Sequence, residues 1–355
     1  MIEDISHSVA RDATGVPVPV LRASDPPAEQ IISYWRSATG VSNWLGEDVF
    51  RALYSQFVER VSVSSSTLEV IRDRPVIYLA NHQVALESLV FVFALTAISR
   101  MDIRALAKEA HQDSWVGELL ALLFSYPGQR LPPPPYYRNE YDPQSLVDML
   151  AEMRRSLTED RHALLIHAEG ARVLSCRRPI SQLSSVFIDL ARETGASIVP
   201  VHFSGGLPVN LMDNYRDFPV GFGRQTYHLG DPIEAEVVAA CHPRDRRQMV
   251  VEAINTAGSD INTSIPAPEN PSFLEGVQNF LLETATTQVK AVMVTGLRSI
   301  VNPSEQTERV LAAVSGDKLM ISDTPEDEWL GRMCTWLTDG RARIIKETIK
   351  HAARL

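Results

Sequence analysis

The spacing of apolar positions changes near residue 75 of the chain. Before that point, two stretches at 28–38 and 46–62 repeat their apolar residues every three or four positions, which predicts amphipathic helices. The stripe of the second stretch consists of Val49, Leu53, Phe57 and Val61. After that point, short runs of almost continuous apolar residues alternate with helical patterns.

The alternating part predicts a layered α/β fold. Strands are predicted at 75–80, 103–107, 163–167, 197–202 and 226–229, and helices at 85–99, 113–124, 142–158 and 181–195. Strands that are apolar at nearly every position are typical of a mixed or mostly parallel sheet with helices on both faces. Asp142-Pro143 is a cap followed by a first-turn proline, and Gly195 is a helix stop.

Beyond about residue 240 the strand patterns are expected to stop and the remaining segments to be helical. We therefore divide the chain into an N-terminal arm with helices at 1–60, an α/β domain at 61–240, and a C-terminal helical region at 241–355. The helical regions are interpreted as additions to one catalytic domain.

Charge and cysteine content exclude several classes of protein. The 355 residues include 34 Lys and Arg against 44 Asp and Glu, a net charge of −10, so a nucleic-acid partner is not expected. Three separated cysteines without a CxxC motif argue against a disulfide framework or a thiolate zinc site, and predict a cytoplasmic protein. The longest apolar stretch, 89–98, is too short to cross a bilayer, although peripheral membrane contact stays open.

The most informative motif follows the strand at 75–80 and reads Asn81-His82-Gln-Val-Ala-Leu-Glu87. Five residues of regular helix would turn the two charged side chains about 140° apart, so they meet only if His82 precedes the helix and Glu87 lies in its first turn. A carboxylate beside an imidazole fixes its tautomer and stabilises the imidazolium, which would make His82 a general base. The alternative is a surface histidine beside an acid that the helix dipole favours.

Two further motifs also follow strands. Residues 166–172 read Ile-His-Ala-Glu-Gly-Ala-Arg, and 198–206 run from Ile-Val-Pro-Val-His into a glycine turn. Glu169, Gly170 and Arg172 could bring backbone N–H groups and a guanidinium to an anion; a solvated ion pair is the alternative. His167, at the end of its strand, is a candidate for substrate contact or for a local hydrogen bond.

In this order, the three motifs resemble those of the glycerolipid acyltransferase superfamily, which includes glycerol-3-phosphate and lysophosphatidic acid acyltransferases. The resemblance covers about residues 60–235. It implies that His82 is the base and Glu87 its partner, that Glu169, Gly170 and Arg172 bind the acceptor, and that Val199-Pro200-Val201 match the block on the donor side. The second block ends in an arginine, for which Arg138 is preferred over Arg130.

Two departures from the family pattern affect this interpretation. Glu87 replaces the usual aspartate, and the third block reads His-Ala-Glu-Gly-Ala-Arg where Phe-Pro-Glu-Gly-Thr-Arg is usual. One extra methylene moves the carboxylate, and the missing threonine hydroxyl argues for a modified acceptor.

The predicted function is that of an acyltransferase enzyme, which moves a fatty-acyl group from a CoA or acyl-carrier-protein thioester to a hydroxyl or amine acceptor. The implied role is in lipid and phospholipid metabolism. No metal and no redox cofactor are expected, since no zinc, phosphate-loop or dinucleotide motif is present; the acyl thioester is a co-substrate. Two alternatives are an impaired relative that binds acyl chains or acyl-carrier protein, and a thioester hydrolase. Oxyanion donors are not identified; backbone N–H groups near His82 are candidates.

Overall fold

A computed structural model describes residues 28–129, 134–139, 141–176, 178–258 and 268–346. Residues 1–27 of the predicted N-terminal region 1–60, and the rival Arg130, lie outside the described residues. The helices of the described part are α1 (Ala28–Thr39), α2 (Leu45–Phe57), α3 (Ser65–Asp73), α4 (Leu86–Ser99), α5 (Trp115–Phe124), α6 (Pro143–Arg155), α7 (Ser185–Thr194), α8 (Ala235–Ala240), α9 (Pro243–Thr256), α10 (Pro271–Thr284), α11 (Gln288–Arg298), α12 (Glu305–Val314) and α13 (Pro325–Thr338). A 3-10 turn at Glu109–His111 and a π-helical turn at Ser156–Asp160 complete them.

Seven of the described strands form one mixed sheet. They are β1 (Val58–Ser62), β2 (Val76–Ala80), β3 (Ile103–Lys108), β4 (Tyr136–Arg138), β5 (Ala163–His167), β6 (Ser197–Gly205) and β7 (Gln225–Leu229), in the order β1-β7-β6-β2-β5-β3-β4. The five strands from β6 to β4 are parallel to one another. Strand β7 pairs antiparallel with β6, and β1 pairs parallel with β7. The predicted α/β class with a mixed, mostly parallel sheet is confirmed.

Helices cover both faces of the sheet, which explains why its central strands are apolar at every position. On β2, Val76, Tyr78 and Ala80 face a core formed with α2, α4 and α5, and Ile77 and Leu79 face the core formed with α6, α7 and α9. Successive side chains of a strand point to opposite faces, so a strand covered on both sides must be hydrophobic throughout.

The start of helix α6 and the end of helix α7 have the capping residues from which they were predicted. The carboxylate of Asp142 accepts a hydrogen bond from the backbone N–H of Gln144 at 3.0 Å, and Pro143 occupies the first turn, where no N–H is needed. Gly195 ends α7 with φ of 71°, a left-handed conformation that favours glycine.

Two predictions of secondary structure were wrong. The helix predicted at 46–62 ends at Phe57, and 58–62 form β1, whose pairing with β7 overrides the helical spacing of Val61. Strands also do not stop at 240, because β8 (Lys318–Ile321) and β9 (Arg343–Lys346) form a small parallel pair within the region predicted as helical. Strands of four residues carry too little periodicity to be recognised before their partner is known.

The C-terminal helices share a hydrophobic core with the sheet. Phe273, Val277 and Val292 belong to the same buried cluster as Tyr78, and the indole N–H of Trp329 donates to the carbonyl of Leu122 at 2.7 Å. The shared core shows no boundary near residues 60 or 240. The division of the chain at these positions therefore stays a prediction.

Among the described residues, no helix combines the length and the apolar character that crossing a membrane requires.

Candidate active site

Three neighbouring parallel strands bring the sequence motifs to one edge of the sheet. The register pairs Ala80 of β2 with His167 of β5 on one side and with Val201 of β6 on the other. The carboxyl ends of parallel strands face the same edge, where ligands of open α/β sheets bind. The segments that follow β2 and β5 thus meet at the motif residues.

His82 and Glu87 form a hydrogen-bonded pair at this edge. His82 lies in the turn between β2 and α4, and Glu87 lies in the first turn of α4, as the spacing required. Nδ1 of His82 is 2.6 Å from Oε1 of Glu87. The Glu87 side chain is fully buried, while 16% of the His82 side chain is exposed. The alternative of a surface histidine with a solvated acid does not describe this geometry.

Buried donors surround the carboxylate of Glu87. The backbone N–H of Gln83 donates to Oε1 at 2.6 Å, and the amide of Gln225, from β7, donates to Oε2 at 3.0 Å. The backbone of Val84 also contributes a hydrogen bond to this carboxyl. Such donors stabilise the ionised form against the cost of burial.

The electrostatic environment keeps the imidazole of His82 neutral. Burial lowers the pKa of His82 to about 3, and the nearby charges of Arg172 and His111 add to this effect. Burial raises the pKa of Glu87 to about 7, although the hydrogen-bond donors act in the opposite direction. With Nδ1 directed at Glu87, the lone pair of a neutral ring is on Nε2, and His82 lines a cavity.

Sequence reasoning missed three amide side chains that hold this turn in place. The side chain of Asn81 donates to the carbonyl of Phe203 at 2.8 Å and accepts from its backbone N–H at 2.6 Å. Gln83 donates to the same carbonyl at 2.8 Å, and Gln225 completes the carboxylate site. Asn81 was part of the quoted motif, but nothing near Gln225 in sequence pointed to the site.

His167 stacks on His82. The ring centroids are 3.7 Å apart and the ring planes differ by 16°. Nδ1 of His167 is 2.8 Å from the carbonyl oxygen of Asn81, and Nε2 is 2.7 Å from the hydroxyl of Ser88. Burial lowers the pKa of His167 to about 3, and the repulsion that its charged form would meet from a protonated His82 acts in the same direction.

The donor atoms of His82, Glu87 and His167 lie within 4.8 Å of one another, as metal ligands do. Their residue types would suit zinc. However, Nδ1 of His82 is bonded to Glu87, and both nitrogens of His167 are bonded to Asn81 and Ser88. In addition, the lone pairs of two stacked imidazole rings lie in nearly parallel ring planes, so they do not converge on one metal ion. We interpret the three as a hydrogen-bonded cluster and assign no metal to it.

A cavity of about 930 Å³ opens beside His82, within the range of small-molecule sites. Five of the six predicted site residues line it, and the sixth, Glu87, lies behind His82. The five are His82, Arg138, Glu169, Gly170 and Arg172. Val199, Pro200 and Val201, predicted for the donor side, are instead buried in β6 and are absent from the cavity wall.

The predicted acceptor block is partly engaged with its own protein. The guanidinium of Arg172 donates to the carboxylate of Asp217 at 2.9 Å and to the carbonyl of Arg216 at 2.7 Å. Glu169 accepts from the backbone N–H and the hydroxyl of Ser181 at 3.1 and 3.2 Å. Gly170 has φ of 63° in the exposed turn between them, which favours glycine.

Arg138 differs from Arg172. It ends β4 at the cavity wall, and its buried Nε has no hydrogen-bond partner within the described part of the chain. A buried guanidinium nitrogen without a hydrogen-bond partner costs free energy in the absence of a ligand. This cost is removed when a bound anion accepts a hydrogen bond from it.

Part of the cavity wall is apolar. Side chains of α1, α4 and α5 line it, namely Trp35, Leu89, Val92, Phe93, Leu120 and Phe124. The segments 89–98 and 116–124 therefore contribute both to the hydrophobic core and to the wall of this cavity. A second apolar cavity of about 60 Å³ lies behind Trp35 and Phe93, which line both spaces.

The backbone N–H groups after His82 are already occupied. Gln83 and Val84 bond to Glu87, Ala85 donates to the carbonyl of Arg216 at 3.3 Å, and Leu86 donates to that of Asp217 at 3.1 Å. They are not available as oxyanion donors in this arrangement, contrary to the expectation from sequence.

The described site thus combines a histidine–carboxylate pair with a cavity whose wall is partly apolar. Residues 62–204 match the family model described as Acyltransferase. This match bears out, for residues 62–204, the resemblance to the glycerolipid acyltransferase superfamily.

Comparisons with individual proteins give less information about function than the family match does. A search of the curated proteins finds no match. Among solved structures, the chain is similar to the 1-acyl-sn-glycerophosphate (LPA) acyltransferase PlsC from Thermotoga maritima. The identity is 15%, the TM-score is 0.38, and the match covers 64% of this chain and 76% of that chain. A similarity of this degree says nothing about substrate.

Proposed function

We propose that the protein transfers a fatty-acyl group from a CoA or acyl-carrier-protein thioester to a hydroxyl, or less favourably an amine, with His82 as general base. The observation that carries this proposal is the His82–Glu87 pair at 2.6 Å, whose histidine lines a cavity with both charged and apolar side chains in its wall. Acyl transfer as such is the activity of the family that residues 62–204 match.

The proposed reaction uses both nitrogens of the His82 imidazole. Nε2 removes the proton of the acceptor hydroxyl while its oxygen bonds to the thioester carbonyl carbon. The carbon–sulfur bond then breaks, and the imidazolium returns the proton to the leaving thiolate. Glu87 stabilises the imidazolium through Nδ1 in both steps. Because burial holds the pKa of His82 low, the imidazole starts each cycle unprotonated.

The charged side chains of the cavity wall support an acceptor with a negatively charged group. Lys108, Arg138, Arg172 and Arg247 contribute positive charge to its wall, and Glu169 contributes one negative charge. Arg172 already pairs with Asp217, so Arg138 is the guanidinium better placed to bind the acceptor anion. A bidentate guanidinium pair with a phosphate or carboxylate would fix the acceptor's orientation.

The apolar part of the wall supports a hydrocarbon chain. The walls contributed by α4 and α5 have no charged side chain between Leu89 and Phe93 or at Leu120 and Phe124. Each buried methylene would contribute about 0.8 kcal/mol to binding of the donor.

Activity is tested by release of thiol from a panel of acyl-CoAs and from acyl-carrier-protein thioesters. Each donor is offered with and without lysophospholipids, glycerol phosphate and amino alcohols, and products are identified by mass spectrometry. We expect release that depends on an acceptor and falls by at least about 1,000-fold in His82→Gln. His242→Asn is the matched control, because it changes an exposed histidine and keeps a capping side chain on α9.

The other outcomes favour the competing functions. Release without an acceptor would indicate a thioester hydrolase. Binding of acyl chains or of acyl-carrier protein without release would indicate an impaired relative. Transfer that is unchanged in a folded His82→Gln protein would contradict the assigned base.

A further inference from the structure

His167 is bonded to both ends of the segment that carries the His82–Glu87 pair. Its Nδ1 contacts the carbonyl of Asn81, the residue before His82, and its Nε2 contacts the hydroxyl of Ser88, the residue after Glu87. One imidazole thus spans the complete turn from position 81 to position 88, while its face covers the ring of His82.

The two hydrogen bonds fix the tautomer of His167. A carbonyl oxygen only accepts, so Nδ1 must carry the proton that it donates to Asn81. In the neutral ring Nε2 then has a lone pair and accepts from the hydroxyl of Ser88. Both ring nitrogens are used, so His167 cannot rotate about χ2 without losing both bonds. The flat ring against His82 is therefore held in one plane.

We infer that His167 is a positioning residue, which holds the ring of His82 and the separation of Asn81 and Ser88 in the geometry that the His82–Glu87 pair requires. This inference rests on the proposed function for its kinetic consequence, but its structural part concerns the state of the His82 ring alone. The usual residue at this position in the resembled family is phenylalanine, which can stack but cannot bond to either neighbour.

The side chains offer a graded test. His167→Phe keeps a stacked ring and removes both hydrogen bonds. His167→Asn keeps a donor close to the position of Nδ1, and Ser88→Ala removes only the bond at Nε2. We expect kcat to fall by about 10- to 100-fold in His167→Phe with little change in KM, since displacements near 1 Å can cost about 100-fold. His167→Asn should recover part of this loss.

A double-mutant cycle separates positioning from general damage. If His167 and Ser88 act through their shared bond, the double variant His167→Phe/Ser88→Ala should be no slower than His167→Phe alone. Additive losses, or a parallel rise in KM, would contradict the inference. If His167→Phe does not fold, the comparison of Ser88→Ala with wild type decides, with a kcat loss of at least threefold expected.

Imidazole NMR tests the inference without any turnover. In protein labelled with ¹⁵N-histidine, we expect the His82 signal, assigned by its absence in His82→Gln, to show a single Nδ1–H tautomer. His167→Phe should give a mixture of tautomers. If wild type transfers no acyl group, the proposed function fails while this spectrum still decides the role of His167. An unchanged His82 spectrum together with unchanged kcat in folded His167→Phe would overturn it.

Discussion

The length of the Glu87 side chain should matter as much as its charge. Oε1 is 2.6 Å from Nδ1 of His82 and 2.6 Å from the backbone nitrogen of Gln83. Oε2 is 3.0 Å from Nε2 of Gln225. Glu87→Asp shortens the side chain by one carbon–carbon bond of about 1.5 Å. A carboxylate withdrawn by that distance leaves hydrogen-bond range for at least one of the three donors.

The expected effects follow from this geometry. In Glu87→Asp we expect kcat/KM to fall by about 100-fold, although aspartate is the usual residue of the family, because the surrounding donors fit the longer side chain. Glu87→Gln keeps the length but loses the charge that stabilises the imidazolium, so we expect a fall of about 100- to 10,000-fold. Removing a buried charge offsets the poorer hydrogen bonding, so the melting temperature of Glu87→Gln should stay within about 3 °C of wild type.

The measurement is acceptor-dependent thiol release, with thermal unfolding of each variant in parallel. Glu234→Gln is the matched control, because Glu234 also accepts hydrogen bonds from other side chains, Arg74 at 2.6 Å and Ser197 at 2.7 Å, but lies away from the cavity. Full activity in Glu87→Gln would refute the need for a carboxylate at Nδ1. Activity of Glu87→Asp equal to wild type would refute the fit to glutamate length.

Three further predictions concern the cavity and the buried histidines. Arg138→Gln should raise the KM of an anionic acceptor by about 10- to 100-fold and leave that of a neutral acceptor unchanged, since a charged hydrogen bond contributes about 1.5–3 kcal/mol; steady-state kinetics with both acceptors measures this, and equal effects would contradict it. Trp35→Ala should join the two apolar cavities and shift donor preference to longer chains, by about tenfold per two added carbons; an unchanged profile of acyl-CoA chain lengths would contradict this. Burial lowers the pKa of His167 to about 3 and that of His228 to about 4, so the unfolded chain binds more protons and the free energy of unfolding should decrease from pH 6.5 to 4. The raised pKa of Glu87 opposes this decrease above pH 4.5, where the folded protein binds up to one more proton at this carboxyl than the unfolded chain does. Urea unfolding between pH 6.5 and 4 measures the effect. A free energy of unfolding that is unchanged or rises as the pH falls would show the reasoning to be wrong.

The central strands were predictable because their environment is uniform. Residues 76–80 are buried on both faces, and a run without polar positions is then required. Residues 58–62 were not predictable, since Val61 continues the four-residue spacing of α2 and only the pairing with β7 makes this segment a strand. Local spacing cannot report a partner that lies more than 160 residues away.

The same distinction applies to the site. His82, Glu169 and Arg172 were recognisable because each follows a strand, and parallel strands bring their carboxyl ends together. The bonds of His167 to Asn81 and Ser88 depend on the register of β2 against β5, which the sequence alone does not specify. The engagement of Arg172 by Asp217 depends on a loop whose course has no sequence signature.

Gln225 shows how the substitution of glutamate for aspartate is accommodated. It lies on β7, outside residues 62–204 that match the family model, and reaches Glu87 because β7 pairs antiparallel with β6 beside β2. A buried carboxylate needs donors for both oxygens, and Gln225 of β7 supplies the one for Oε2. Glu87 and Gln225 are therefore one structural unit, so the acid of the site cannot be exchanged without also considering the strand that satisfies it.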